Sequence, residues 1–226
     1  MTPRPRHHLD PATVVSYTAG ALSPEMSAVV ATHLEGCAHC RRTVARAEGI
    51  GGALVDQQQA SAVPADRQAR LRAAMLERLA QAGPPGHPPA PAPAPAANDP
   101  DRLPTPLQPY FGASYRALKW RWMGPGMHYI QRRGAGGQTL LMLRIAPGKS
   151  LPVHGHGGTE ITQILRGAYD DALGHFGPGD VADLDADTQH QPVTAPGAPC
   201  ICVAAMDAPL RFPGWVARTL QPVFGI

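Results

Sequence analysis

Three residues within a short stretch have the types and spacing of metal ligands: His33, Cys37 and Cys40. On a helix, residues four apart face the same side, so His33 and Cys37 would approach each other. A Cys-x-x-Cys turn leading into a helix brings the second sulfur beside them, and the helix N-terminus favours a thiolate. A structural zinc ion takes four such ligands in a tetrahedron. The fourth candidate is His7 or His8, which chemistry alone does not distinguish.

Two other interpretations of the Cys37–Cys40 pair are less favoured. A redox Cys-x-x-Cys pair is typical of a thioredoxin-like βαβ unit, which the helical pattern around these residues does not resemble. Chance placement of surface residues is the second alternative. His39, between the two cysteines, is expected to face solvent, although it is able to substitute as a ligand.

A second cluster of ligand-type residues lies more than a hundred residues downstream, in GKSLPVHGHGGTEITQILRG. His154 and His156 are two positions apart, and such residues point to the same face of a strand. The glycines that follow allow a sharp return of the chain, so Glu160 is able to join the two histidines. Two imidazoles and a carboxylate suit zinc, manganese, iron or nickel. The sequence therefore predicts a second metal site.

The fourth ligand of this second site is more open. His190 is the favoured candidate, because TQHQP ends a turn ahead of a predicted strand, and His175 is the competitor. His128 is expected to be an ordinary strand histidine, since nothing near it completes a site.

Cys200 and Cys202 alternate on one face of another predicted strand. The Cα atoms of residues two apart on a strand lie near the upper limit of disulfide geometry, so a relaxed bridge is not expected. The favoured interpretation is a pair of small buried apolar residues. The alternatives are an oxidant-sensitive pair or additional metal ligands.

The elements that carry the first cluster are predicted to be helices. Asp10-Pro11 and Ser23-Pro24 each combine a good N-cap with a proline at the first helical position. Gly20 and Gly36 are plausible ends of these two helices, a third runs from about 40 to the glycines at 49–52, and a fourth covers about 66–82. On the fourth, Leu71, Met75 and Leu79 form one apolar stripe. The prediction is a small bundle of short helices.

The second cluster belongs to a part of the chain with a different pattern. Residues 83–104 contain nine of the 26 prolines, which prevents helix and sheet formation and indicates an extended spacer. Beyond it, short apolar segments alternate with Gly, Pro and Asp turns, as in an all-β sandwich or barrel. The expected domains are therefore a helical unit at 1–82, a linker at 83–104 and a β domain at 105–226.

Composition excludes several classes of protein. The formal net charge is only +3 and is not concentrated, which disfavours direct nucleic-acid binding. No apolar run reaches the roughly 18–20 residues that span a bilayer, and no secretory signal pattern opens the chain. We therefore expect a cytoplasmic location, where close cysteine pairs bind metals or do thiol chemistry more often than they form disulfides.

The first 80 residues resemble the zinc-binding anti-sigma domain, whose pattern is His, about 25 residues, then His-x3-Cys-x2-Cys. The interval from His8 to His33 is 25, so the resemblance favours the set His8, His33, Cys37 and Cys40. It also implies a helical bundle that is wedged between the two conserved regions of an extracytoplasmic-function sigma factor and blocks its binding to RNA polymerase.

The segment from Gly148 to Gly167 resembles the first motif of the cupin barrel, whereas the second motif departs from the pattern because His190 follows Asp180 only after ten positions. Both parts together resemble the ChrR-type anti-sigma factors. This resemblance implies an α+β multidomain fold and a non-catalytic regulator. It also implies zinc in the helical domain and a second divalent metal, again expected to be zinc, in a cupin domain that senses singlet oxygen and related oxidants.

Two other functions are compatible with the sequence. A metal-dependent cupin enzyme, such as a dioxygenase or isomerase, would use the helical part as an accessory. A metal-storage or small-ligand binding module is the third class. Zinc without substrate turnover would favour the regulator over the enzyme.

Overall fold

The computed structural model describes residues 4–59, 61–81 and 99–214 of the 226-residue chain. Five α-helices lie in these ranges: α1 Pro11–Thr18, α2 Pro24–Gly36, α3 Ala38–Asp56, α4 Ala65–Gln81 and the single turn α5 Gln108–Phe111. The four helices expected near the N-terminus are thus all present. Among the described helices, none combines the length and the apolar character that crossing a membrane requires.

The first two helices begin where the capping signals place them. The side chain of Asp10 accepts a hydrogen bond from the Ala12 N–H at 2.7 Å, and Ser23 accepts one from the Met26 N–H at 3.2 Å. In both helices a proline occupies the first turn, where a backbone N–H would have no hydrogen-bond acceptor within the helix. These caps set the start of α1 and α2, and therefore the position of the ligands on either side.

The third helix is longer than the sequence suggested. It was expected to end at the glycines at 49–52, but α3 continues to Asp56. Each glycine costs a helix only about 1 kcal/mol relative to alanine. None of these glycines adopts the left-handed conformation that ends a helix, in contrast to Gly20 after α1, which has φ 67°.

Twelve strands follow within the described residues 99–214. They are β1 Arg121–Gly124, β2 Met127–Arg133, β3 Thr139–Ile145, β4 His154–His156, β5 Glu160–Arg166, β6 Tyr169–Asp171, β7 Gly174–Phe176, β8 Val181–Leu184, β9 Gln189–His190, β10 Val193–Thr194, β11 Cys200–Met206 and β12 Leu210–Arg211. The described strands form a six-stranded sheet (β1-β2-β3-β11-β5-β8) and two three-stranded sheets (β10-β6-β7 and β12-β4-β9). All pairings are antiparallel, which confirms the expected all-β domain.

The chain divides into two compact units, one formed by 1–51 with 101–226 and the other by 52–100. Within the first unit, α1–α3 share one hydrophobic core with the six-stranded sheet. Fully or almost fully buried side chains from both sides meet there: Val14, Val29, Val30, Leu140, Met142, Ile161 and Val203. The expected domain boundaries at 82 and 105 remain predictions, and residues 82–98 of the expected linker lie outside the described residues.

Two carboxylates, one buried and one half-buried, add polar contacts between the N-terminal segment and the barrel. Asp180 accepts hydrogen bonds from the backbone N–H groups of Arg6 and His7, the second at 2.9 Å. Asp183 accepts from the Asp10 N–H at 2.9 Å and from the Thr13 hydroxyl at 3.1 Å. Hydrogen bonds to a charged acceptor are worth more than neutral ones. The strand β8 and the turn before it therefore hold the start of the chain.

The second unit contains α4, which buries none of its side chains. The side chains of Leu71, Met75 and Leu79 are 58–62% exposed, and Leu76 is 52% exposed. The apolar stripe is present as the sequence predicted, but it does not contribute to a bundle core. Exposed apolar stripes of this kind mark interaction surfaces.

Candidate metal centres

The first cluster forms where three elements meet. His8 precedes α1, His33 lies in the last turn of α2, Cys37 caps that helix, and Cys40 lies in the first turn of α3. One ligand atom from each of these four residues lies within 4.8 Å of all the others. The structure therefore brings together the complete set that the sequence favoured.

The spacing of these atoms suits a tetrahedral zinc ion. His33 Nε2 is 3.3 Å from Cys40 Sγ, and His8 Nδ1 is 3.3 Å from Cys37 Sγ. Zinc–nitrogen and zinc–sulfur bonds of 2.0 to 2.3 Å place tetrahedral ligand atoms about 3.3–3.8 Å apart. The Cys40 N–H also donates to Cys37 Sγ at 3.4 Å, as a thiolate at a helix start favours.

The protonation pattern of the cluster also suits a cation. His33 Nδ1 donates to the Gly179 carbonyl at 3.0 Å, so in the neutral ring Nε2 carries the lone pair that faces the sulfurs. Burial lowers the pKa of His33 to about 4, which keeps the ring neutral. Burial raises the pKa of the Cys40 thiol to about 11, so a metal ion is needed to hold this sulfur as a thiolate.

The neighbouring histidines have other roles in the structure. His7 Nε2 lies 3.0 Å from the His175 carbonyl, and the His7 ring stacks on Phe176 at 4.0 Å between centroids. His39 is exposed, as expected, and stacks on His8 at 4.3 Å. Of the two candidates for the first ligand, His8 is thus the one that faces His33 and the cysteines.

The second cluster lies at the mouth of the barrel. His154 and His156 occupy the two ends of β4. His190 lies on β9, directly opposite His154 in the antiparallel pairing of the two strands. Ligand atoms of these three buried histidines lie within 4.8 Å of one another. His190 therefore joins the pair, whereas His175 is exposed and contacts Asp170 at 2.8 Å. His128 lies on β2 outside both clusters, as expected.

Two of these imidazoles face each other through their Nε2 atoms. His154 Nδ1 donates to the Pro152 carbonyl, and His190 Nδ1 donates to the Asp171 carboxylate, both at 2.8 Å. In neutral rings both Nε2 atoms then carry lone pairs, yet they lie 3.1 Å apart. Two acceptors at that distance repel each other, and a cation that both contact removes the repulsion.

His156 and Glu160 are the other two residues that the sequence predicted for this centre. The Nε2 atom of His156 is buried without a hydrogen-bond partner among the described residues. Glu160, the first residue of β5, lies beside the cluster with Oε2 at 3.3 Å from His156 Nδ1. Burial is the largest influence on the pKa of Glu160 and would raise it, but the interactions with His156, His154 and the Thr162 hydroxyl together outweigh burial and lower that pKa. An ionised Glu160 suits a place beside a divalent cation.

Asp171, at the end of β6, is a candidate positioning residue that the sequence did not reveal. Its side chain is 0% exposed and accepts the His190 Nδ1 hydrogen at 2.8 Å. Histidine ligands commonly donate their second ring N–H to a carboxylate, which orients the ring. No spacing rule points to Asp171, because it is 19 residues from His190 and only the barrel brings them together.

Cys200 and Cys202 are both buried free thiols on β11. A hydrogen bond between the two side chains lowers the pKa of Cys200 and, together with burial, raises that of Cys202. They lie within one apolar cluster, as the favoured interpretation requires. Both also line the barrel cavity next to His154 and His190.

Comparison with known proteins agrees with this combination of a His/Cys helical site and a β-barrel. A zinc-finger family model matches residues 14–41, and the model described as the ChrR cupin-like domain matches residues 111–208. The class of protein is therefore a zinc-finger-type helical domain joined to a ChrR-type cupin barrel, which confirms the expected fold class.

Similarity to individual proteins extends over almost the whole chain. The anti-sigma-E factor ChrR of Cereibacter sphaeroides is 37% identical over 98% of this chain and 99% of its own length. The anti-sigma ChrR in the crystal structure of Rhodobacter sphaeroides SigE in complex with it is 32% identical, with a TM-score of 0.69. That match covers 89% of this chain and 99% of the other. The chain belongs to the ChrR family of anti-sigma factors, which confirms the prediction of a regulator rather than an enzyme.

Proposed function

We propose that this protein binds and sequesters an extracytoplasmic-function sigma factor in the cytoplasm as a one-to-one complex. The 37% identity to ChrR over nearly the full length carries this proposal, together with the crystal structure of a relative bound to SigE. The exposed apolar stripe of α4 supports it, because this stripe offers contact area that no core among the described residues uses. In this proposal residues 1–82 bind the sigma factor, 83–104 link the domains and 105–226 form the sensor.

The proposed role of the first metal centre is structural. His8, His33, Cys37 and Cys40 would hold zinc and connect the segment before α1 to the junction of α2 and α3. In small zinc domains the metal supplies about 10–16 kcal/mol of apparent folding free energy. The helices that present the sigma-binding surface would then depend on the metal for their arrangement.

The experiment for this role is co-expression with each extracytoplasmic-function sigma factor of the same genome, followed by affinity purification. The wild-type chain should retain one of these sigma factors with two equivalents of zinc. The double variant Cys37→Ala/Cys40→Ala should lose the N-terminal zinc and the sigma factor together. Undiminished capture of the sigma factor by the double variant would refute the structural role of this zinc.

The proposed role of the second centre is sensing. His154, His156, Glu160 and His190 would hold a divalent cation, and zinc is the proposed metal. The opposed lone pairs of His154 and His190 support this site. Oxidants would modify one group at this centre. That group would be a histidine ligand or one of the thiols of Cys200 and Cys202, which lie against the metal centre. Oxidation of that group, rather than its absence, would change the barrel surface on which α1–α3 pack.

Sensing is tested with the full-length complex, because α1–α3 share a core with the barrel and removal of residues 105–226 would expose it. Singlet oxygen from a photosensitiser should release the sigma factor from the wild-type complex. The variant His154→Ala/His190→Ala should still bind the sigma factor but release less than a tenth as much. The exposed variant His175→Ala is the matched control and should respond as the wild type does. Normal release from the double variant would exclude the second centre as the sensor.

A further inference from the structure

The barrel contains a cavity of about 340 Å³ that lies against the second centre. One end of it carries polar groups of His154, Glu160 and His190. The remaining wall is largely apolar and includes Met123, Met127, Leu141, Leu143, Ala204 and Phe212. Small-molecule sites are typically cavities of about 300–1,000 Å³ with mostly apolar walls and a few convergent polar groups.

The charges around this cavity set the chemistry of a ligand. A divalent cation at the histidines would be balanced by two carboxylates, Glu160 and the Asp171 that holds His190. No lysine or arginine lies among the described lining residues. Burial raises the pKa of Tyr169, so its hydroxyl adds no charge to the cavity. An anionic ligand would enter an apolar space without a counter-charge, which is costly.

We propose that this cavity binds a small neutral molecule that is apolar except for one hydroxyl or carbonyl oxygen, with that oxygen at the histidine end. The apolar wall would take up the hydrocarbon part, because removal of apolar surface from water is favourable. The inference rests on the proposed metal centre in the barrel, since the charge balance includes its cation.

The experiment is calorimetric titration of the full-length, zinc-loaded protein with 1-octanol and, separately, with octanoate, which share one chain length. We expect saturable one-to-one binding of 1-octanol and at least tenfold weaker binding of octanoate. Elemental analysis of the same samples measures zinc at both centres. Tighter binding of octanoate than of 1-octanol, or no saturable binding of 1-octanol to protein with two zinc ions, would overturn the proposal and leave the anti-sigma function standing.

Variants that fill the cavity locate the binding. Ala204→Phe adds a ring at the centre of the wall, and Met127→Trp adds one at a partly exposed position that is less able to disturb folding. Both should weaken 1-octanol binding at least tenfold. Leu173→Trp enlarges a side chain that is 47% exposed on the turn between β6 and β7, and it should bind as the wild type does. Unchanged binding in both filled variants would overturn the location. Protein that holds no zinc in the barrel would overturn the metal centre and this inference together.

Discussion

At the level of single residues, the two proposed metal centres are built in the same way. In each, a histidine donates one ring N–H to a fixed acceptor, so the other nitrogen presents its lone pair to the cluster. His33 uses the Gly179 carbonyl for this, and His190 uses the Asp171 carboxylate. The acceptors come from the barrel in both cases. The barrel therefore orients a ligand of each centre.

The first prediction concerns Asp171→Asn. The amide still fills the site but lacks the negative charge that orients the His190 ring, so zinc affinity of the barrel centre should fall about 10- to 100-fold. Competition with a chromophoric chelator measures this affinity. Asp170→Asn is the matched control, because Asp170 contacts the exposed His175 and should leave zinc affinity unchanged. Equal affinities of both variants would show that Asp171 does not orient a ligand.

The sequence predicted the two clusters of ligand-type residues, but it did not reveal the residues that support them. Histidine and cysteine at fixed local spacing, as at His33-x3-Cys37-x2-Cys40, report helix geometry directly, so these residues were identified before the structure. His190 was selected over His175 only from its place before a strand. Asp171 and the Gly179 carbonyl had no local signal, because they meet the ligands through pairings across the barrel.

At the level of elements, α4 differs from the three helices before it. Helices α1–α3 bury apolar side chains in a core, whereas the stripe of α4 remains in solvent. Periodicity predicted the bounds of α4 and the existence of its stripe, but it does not state what the stripe contacts. In the proposed complex this stripe faces the sigma factor.

The second prediction concerns Leu71→Gln/Leu79→Gln. Both side chains are exposed and glutamine is a good helix former, so the melting temperature should change little. If the stripe contacts the sigma factor, each leucine lost from the interface should cost about 1.5–3 kcal/mol, which lowers affinity at least tenfold. Surface plasmon resonance measures that affinity. Ala73→Gln/Glu77→Gln on the opposite face of α4 is the control, and equal binding of both pairs would exclude the stripe from the interface.

At the level of the whole molecule, the close packing of α1–α3 on the barrel is what the sequence could not show. A proline-rich stretch predicted separated domains, yet Val29 and Val30 are fully buried together with side chains of the six-stranded sheet. An amphipathic pattern indicates that one face of a helix is buried, but it does not indicate which part of the protein covers that face. This arrangement places the first metal centre directly beside the turn that precedes β8.

That turn carries Asp180, which is only 4% exposed. Its Oδ1 accepts the backbone N–H groups of Arg6 and His7, and its Oδ2 accepts that of Gly177 at 2.8 Å. The same turn supplies the Gly179 carbonyl that orients His33. One carboxylate thus fixes both the segment that carries His8 and the turn that contacts His33.

The last prediction is that Asp180→Ala loosens the first metal centre without unfolding the barrel. Each lost hydrogen bond to a charged acceptor should cost about 1.5–3 kcal/mol, so amide exchange of Arg6 and His7 should accelerate at least tenfold and the N-terminal zinc should be removed faster by a chelator. Asp185→Ala is the control, because Asp185 bonds Asp187 and Thr188 within its own turn. Exchange at Arg6 and His7 that is the same in both variants would mean that the barrel does not hold the N-terminal segment in solution. The route from the sensor domain to the sigma-binding helices would then have to lie elsewhere.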